Sequence, residues 1–201
     1  MLVVLGGLPG VGKSTIARAL LTRWLAVYLC IDTIEQALRD SGVLAGQGAG
    51  AASNAGSVCN AANVPDGPNV ADVGAAGYMV AYALARTQLA MGLPVLADSV
   101  NPLAVTREAW HGVAVFAQVP WLDVEVVCSD VAEHQKRVEQ RRVSDVLGLL
   151  PPTWAAVRRH DYAPWAAGDR LVVDTAHCSA DDAATRILTE LKQLKAPTAG
   201  A

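Results

Sequence analysis

The chain has 201 residues, 52% of them hydrophobic, and a formal charge of −3 from 16 basic and 19 acidic side chains. That length holds one domain with a real core and needs no disulfide or structural metal to support it. The mildly acidic balance argues against non-specific nucleic-acid binding, which requires a basic surface, and no uninterrupted apolar run is long enough to cross a bilayer.

The four cysteines, Cys30, Cys59, Cys128 and Cys178, are far apart and form no CxxC pair. They read as reduced thiols of a cytoplasmic protein, not as a zinc site or a disulfide framework. The histidines at 111, 134, 160 and 177 are equally scattered. No basic segment precedes the first apolar run, so no signal peptide is expected.

In chain order, LVVL (2–5) reads as a short buried strand ending in Gly6-Gly7. A helix over 13–25 follows, with Ile16, Ala19, Leu20 and Trp24 on one face. AVYLCI (26–31) is a second strand and 33–42 a helix stopped by glycine. From 42 to 77 the composition shifts: half of the residues are Gly or Ala and none is Lys or Arg. This stretch reads either as a flexible surface loop or as a cap over an acceptor site. Helix 76–92, strand 93–98, helix 102–118, strand 122–128 and a charged helix over 130–142, capped by Ser129 or Asp130, come next. A helix over 151–162, a strand over 170–174 and an amphipathic helix over 179–195 complete the series, followed by a frayed tail. Five short apolar strands alternating with helices predict an α/β fold: a parallel sheet covered on both faces, with ligands at the carboxyl ends of the strands.

GLPGVGKS (7–14) fits the pattern GxxxxGK[ST], with a buried strand before it and a helix after it. Gly7, Leu8, Pro9, Gly10, Val11 and Gly12 would turn backbone N–H groups inward around phosphate oxygens, at the positive end of a helix dipole. Lys13 would reach the β- and γ-phosphates, Ser14 would give its hydroxyl to Mg²⁺, and Thr15 would touch a further phosphate oxygen. A nucleoside triphosphate, taken as ATP with Mg²⁺, is therefore the expected ligand.

The remaining motifs narrow the class. No NKxD guanine motif and no DxxG switch is present, and the third strand ends VLADSV with one carboxylate, not an acidic pair. These absences favour a small-molecule kinase over a GTPase or a motor ATPase. In a P-loop three-layer fold with strand order 2-3-1-4-5, Asp32 at the end of the second strand faces the γ-phosphate from the acceptor side. It could take the proton of an attacking hydroxyl or cap the next helix. Asp98 ends the third strand and could hold Mg²⁺ or the acceptor; Asn101 behind it could bind the acceptor or cap the helix at Pro102.

These residues carry a family resemblance. GGLPGVGKST, IDTIEQAL, VLADSVNP, VEVVCSD…KRVEQRR and LVVDTA resemble the small P-loop kinases that include chloramphenicol phosphotransferase, gluconate kinase and the zeta-toxin group, and predicted kinases of the AAA-family ATPase type. The resemblance implies a base at Asp32 and places Asp174 and Thr175 near the adenine. It also implies that an arginine of the helix after the fourth strand closes over the nucleotide. Arg137, Arg141 and Arg142 are the candidates, with Arg137 and Arg141 on one face at i, i+4; surface pairing such as Glu133–Arg137 is the alternative.

The expected organisation is a single kinase domain over 1–201, with 42–77 as an acceptor-side insertion or loop and 130–165 as an arginine-bearing lid. Trp154, Arg158 and Tyr162 would form one stripe on the lid helix, ended by Pro164 before Trp165. Between Arg39 and Arg86 there is no Lys or Arg to hold a dianionic acceptor. The expected reaction is therefore transfer of the γ-phosphoryl group of ATP to a hydroxyl of a small, non-phosphorylated molecule, by a monomer or homodimer. A polynucleotide or nucleotide kinase, or a non-catalytic ATP-binding switch, stands as the alternative.

Overall fold

The computed structural model describes residues 1–42, 73–141, 143–163, 165, 168 and 170–194. Its centre is the apolar run LVVLG, which forms β1 (Leu2–Gly6) and is buried along its whole length. A strand buried on both faces needs neighbours on both edges, and β1 has them. It pairs in parallel with β3 (Val95–Asp98) on one side and β4 (Trp121–Val127) on the other. β2 (Val27–Cys30) extends the sheet beyond β3, and β5 (Arg170–Asp174) beyond β4. The order is β2-β3-β1-β4-β5, the arrangement expected from the sequence.

Seven helices are seen among the described residues: α1 (Lys13–Leu21), α2 (Ile31–Asp40), α3 (Ala76–Ala90), α4 (Ala104–Phe116), α5 (Val131–Gln140), α6 (Trp154–Arg159) and α7 (Ala180–Leu191). Side chains alternate across a strand, so β1 feeds two cores. Val3 and Leu5 pack with Ile16 and Leu20 of α1 and Ile187 and Leu191 of α7. Leu2 and Val4 pack on the opposite face with Tyr78, Tyr82 and Leu89 of α3 and Trp110 and Val113 of α4. Edge-to-face contact between Tyr82 and Trp110, ring centroids 4.7 Å apart, ties α3 to α4.

Several boundaries differ from the sequence expectation, each for a local reason. α1 stops at Leu21, four residues early, where the Thr22 hydroxyl donates to the Ala19 carbonyl at 2.7 Å. β2 ends at Cys30 and Ile31 is already helical. α5 ends at Gln140 because Arg141 takes an extended conformation. α6 spans only 154–159, with the Thr153 side chain accepting from the Ala156 amide as its N-cap and His160 extended at its end. Tyr162 therefore lies outside the helix, and the stripe of Trp154, Arg158 and Tyr162 does not form. Arg142, Pro164, Cys59 and nearly all of the 42–77 stretch lie outside the described residues. Cys30, Cys128 and Cys178 are free thiols. Among the described residues, no helix is long and apolar enough to cross a membrane.

Candidate active site

The parallel register brings the ends of three strands into one row. Cys30 pairs with Asp98, and Asp98 with Leu5, immediately before the glycine-rich turn. That turn needs glycine. Gly7, Gly10 and Gly12 have φ of 142°, 84° and 101°, a region side chains rarely adopt. A Cβ on Gly7 would also overlap the Val126 carbonyl oxygen. The turn leads directly into α1, where the Thr15 and Ile16 amides donate to the Gly12 carbonyl and the amides before them have no acceptor within the helix. Lys13 curls over the turn, its Nζ donating to the carbonyls of Gly7 at 2.8 Å and Leu8 at 3.2 Å. Narrow glycine turn, uncommitted helix amides and overlying ammonium together fit a chain of phosphates.

The turn is braced from both sides. The Gly7 amide donates to the Val100 carbonyl at 3.0 Å. His134 of α5, buried, has Nε2 2.8 Å from the Pro9 carbonyl, and Trp154 of α6 packs edge-on against its ring. Thr175, just past β5, places its hydroxyl 2.8 Å from the Val11 carbonyl and 3.1 Å from that of Val127, donating to one at a time. The same hydroxyl accepts from Arg137 at 2.9 Å, and Arg137 also donates to the Thr175 carbonyl. Asp174 turns away from this group: its carboxylate accepts the amides of Ser129 and Ala176. Those bonds, the one from Ser129 foremost, hold its pKa down at about 2.

Asp98 is buried and receives two donors on one oxygen, Ser14 Oγ at 2.9 Å and Tyr28 OH at 2.7 Å. A serine hydroxyl on a buried carboxylate is a donor set suited to a hard divalent cation such as Mg²⁺. Asp32 lies in the first turn of α2, whose N-cap is Cys30, so it does not cap the helix. Its carboxyl is raised above the usual carboxylate range. Burial is the largest influence; Lys13 opposes it, Asp98 reinforces it, and Arg141 and Arg39 oppose it. A carboxylate so poised can accept a proton.

Among the described residues these groups line one cleft of about 1340 Å³. Lys13, Ser14, Asp32, Asp98, Arg137 and Arg141 all reach it. The two arginines do not share a helical face, because the chain turns extended at Arg141. Arg137 is engaged with Glu133 and Thr175, whereas Arg141 donates to Asp145 at 3.1 Å. Asn101 stands apart. It is fully buried at φ 55°, its side-chain amide makes no hydrogen bond, and it does not line the cleft. It does not cap α4 either, whose N-cap is Leu103.

Sequence reasoning passed over Tyr28, His134, Gln36 and Arg39. For Tyr28 the signal was period two: it shares a face of β2 with Cys30, the strand partner of Asp98. For His134 it was its spacing of four from Val138, both facing Gly10.

A family model described as an AAA domain matches residues 2–148, from β1 through the segment after α5. The chain belongs to this AAA-domain family. No curated protein matches its sequence. Solved structures resemble this AAA domain over nearly its whole length. A candidate kinase from Chloroflexus aurantiacus aligns with a TM-score of 0.66 at 19% identity, covering 96% of this chain and 97% of that one. The Mycobacterium tuberculosis APS kinase CysC, in complex with AMPPNP and APS, gives 0.59 at 17% identity, with 96% and 97% covered. Chaetomium thermophilum Kti12 in complex with ADP-AlF3 gives 0.58 at 15%, with 98% and 100% covered. At these identities the likeness is one of fold, the P-loop three-layer α/β arrangement.

Proposed function

We propose that this AAA-domain protein is an ATP-dependent phosphotransferase that acts on a hydroxyl of a small, non-phosphorylated molecule. The observation that carries the reading is the position of Asp32. A carboxylate with a raised pKa lies in the same cleft as Lys13 and the glycine turn, within the electrostatic reach of the Lys13 ammonium. The single kinase domain, with 130–165 as its lid, belongs to this reading.

The glycine turn and the α1 amides would cradle the β- and γ-phosphates. Lys13 would exchange its contacts with the Gly7 and Leu8 carbonyls for phosphate oxygens. Ser14 and Asp98 would hold Mg²⁺, which neutralises phosphate charge when bound. Asp32 would orient the acceptor hydroxyl and take its proton as the oxygen bonds to the γ-phosphorus. The bond from that phosphorus to the β–γ bridging oxygen breaks, and ADP leaves. Arg141, held by Asp145 at the cleft wall, and Arg137, beside Thr175, would offset charge on the transferred group. Thr175 lines the cleft beside Gly12, on the side where the nucleoside is expected, whereas Asp174 does not line it and would act only by holding the Ser129 and Ala176 amides behind it.

The test is a panel of hydroxyl acceptors with ATP and Mg²⁺, monitored for ADP and for phosphorylated product. Turnover of a neutral alcohol supports the reading. Turnover confined to nucleoside monophosphates or oligonucleotide ends overturns the acceptor class. ATP binding without transfer to any acceptor overturns the kinase itself in favour of a switch.

A further inference from the structure

α2 presents a polar row to the cleft. Asp32, Gln36 and Arg39 all line it, and their spacing of four and three residues puts them on one helical face. At 1.5 Å per residue, the Cα atoms of Gln36 and Arg39 lie about 6 Å and about 10 Å along the axis from that of Asp32, and the Arg39 guanidinium reaches back toward Glu35. Gly148, in the segment after α5, closes against Gln36: a Cβ there would stand 3.2 Å from the Gln36 amide nitrogen.

Arg39 is the member that the fold does not explain. Its side chain is only 11% exposed, and one terminal nitrogen donates to Glu35 at 3.2 Å. Its Nε and other terminal nitrogen are buried without a hydrogen-bond partner. Buried donors without acceptors are costly and rare. Glu35 is fixed from behind, where it packs so closely on Gly77 of α3 that a Cβ would not fit. The ion pair therefore neutralises Arg39 without using up its donors. A dianionic group brought here would meet the Glu35 charge along with the guanidinium. A neutral oxygen would satisfy the waiting N–H groups without that repulsion.

We infer that the Asp32–Gln36–Arg39 row is the acceptor subsite, and that it selects a neutral hydroxyl compound bearing an uncharged hydrogen-bond-accepting oxygen, such as an amide or ketone carbonyl, that meets the Arg39 guanidinium while the hydroxyl meets Asp32. This rests on the kinase reading above, and it adds the second functional group of the acceptor.

The test uses the full chain with radiolabelled ATP, Mg²⁺ and a library of alcohols. The library is sorted by the second functional group that each alcohol carries: neutral carbonyl, carboxylate, ammonium or alkyl. Phosphorylated products should concentrate in the carbonyl class. Arg39→Lys keeps the ion pair with Glu35 but loses the two unpartnered guanidinium nitrogens. It should raise KM for those acceptors at least tenfold and leave kcat and the KM for ATP within about twofold. Glu35→Gln removes the carboxylate paired with the guanidinium and should shift turnover toward the carboxylate class. Both variants are checked for native melting first. If Arg39→Lys does not fold, the Glu35→Gln shift decides alone. Transfer spread evenly over the classes, or an unchanged KM in Arg39→Lys, overturns the inference and leaves the kinase reading intact. Transfer to no compound, with ATP still bound, overturns both.

Discussion

Ser14 and Asp98 lie 84 positions apart in sequence, yet the serine hydroxyl donates to the aspartate at 2.9 Å. The bond joins the start of α1 to the end of β3, and Tyr28 of β2 donates to the same oxygen. Three elements therefore converge on one carboxylate at the proposed metal position. Burial, and after it the charge of Asp98, pushes the Tyr28 phenol far above its ordinary range, so it stays a donor.

Asp98→Asn keeps the shape of this cluster and removes its charge. It should raise the Mg²⁺ concentration needed for half-maximal binding of a fluorescent ATP analogue by about tenfold or more. Tyr28→Phe leaves the charge and removes one donor, so its effect should be smaller. A metal titration of the two variants beside the parent checks the order.

Asp32→Asn should lower phosphoryl transfer by about 10²–10⁴-fold, the usual contribution of a general base, and leave ATP affinity nearly unchanged. The pH dependence follows from the raised carboxyl. Activity should fall as the solution is acidified through the folded-state pKa, which lies above the ordinary 3.8. For stability the sign is opposite. The folded state holds the proton more tightly than the unfolded chain, so Asp32 costs nothing below 3.8 and progressively destabilises as pH rises through its folded value. At neutral pH the asparagine variant should therefore melt higher than the parent, and calorimetry across pH checks both signs.

Arg137→Ala removes a guanidinium held between Glu133 and Thr175. If Arg137 supplies the charge that neutralises the transferred group, kcat should fall by about 10³-fold or more, with little change in ATP binding. Thr175→Val removes the hydroxyl that reaches the Val11 carbonyl and accepts from Arg137. It should cost about 1–3 kcal/mol of stability through the polar groups left unpaired. Denaturant melts and steady-state kinetics separate the two roles.

Gly6→Ala tests the packing behind the turn. The backbone there is ordinary, but a Cβ would overlap the Trp165 ring. That ring also lies under Arg107, with 4.9 Å from guanidinium carbon to ring centroid, and it donates to the Tyr162 hydroxyl at 2.6 Å. The crowding is against a locked ring, so the variant should lose about 1–3 kcal/mol. Tryptophan fluorescence should report the displaced indole.

His111 sits 2.6 Å from Asp123, and that hydrogen bond raises its pKa above 6.5 against an opposing effect of burial. The pair's contribution should be fully present below 6.5 and fade as pH rises through the folded value. His111→Ala should therefore lose more stability at pH 5.5 than at pH 8.5. The side chain is one-third exposed, so the difference should be modest and sensitive to salt.

Much of this was readable in the chain itself. Apolar runs such as LVVL and LDVEVV cannot be exposed, and alternation with helices forces them into a parallel sheet. GLPGVGKS dictates a phosphate turn, because its glycines are spaced for backbone that other residues rarely adopt. Local chemistry of this kind acts between neighbours in sequence, so sequence carries it. Tertiary structure decided whatever depends on register and on where a segment stops turning. One extended residue at Arg141 parts it from the face of Arg137 and sends it to Asp145. Full burial takes the Asn101 side chain away from the cleft. Packing of Glu35 on Gly77 leaves Arg39 paired but with donors to spare. Each of these outcomes rests on contacts between residues that are distant in sequence or on the ending of a helix, and neither composition nor periodicity encodes them.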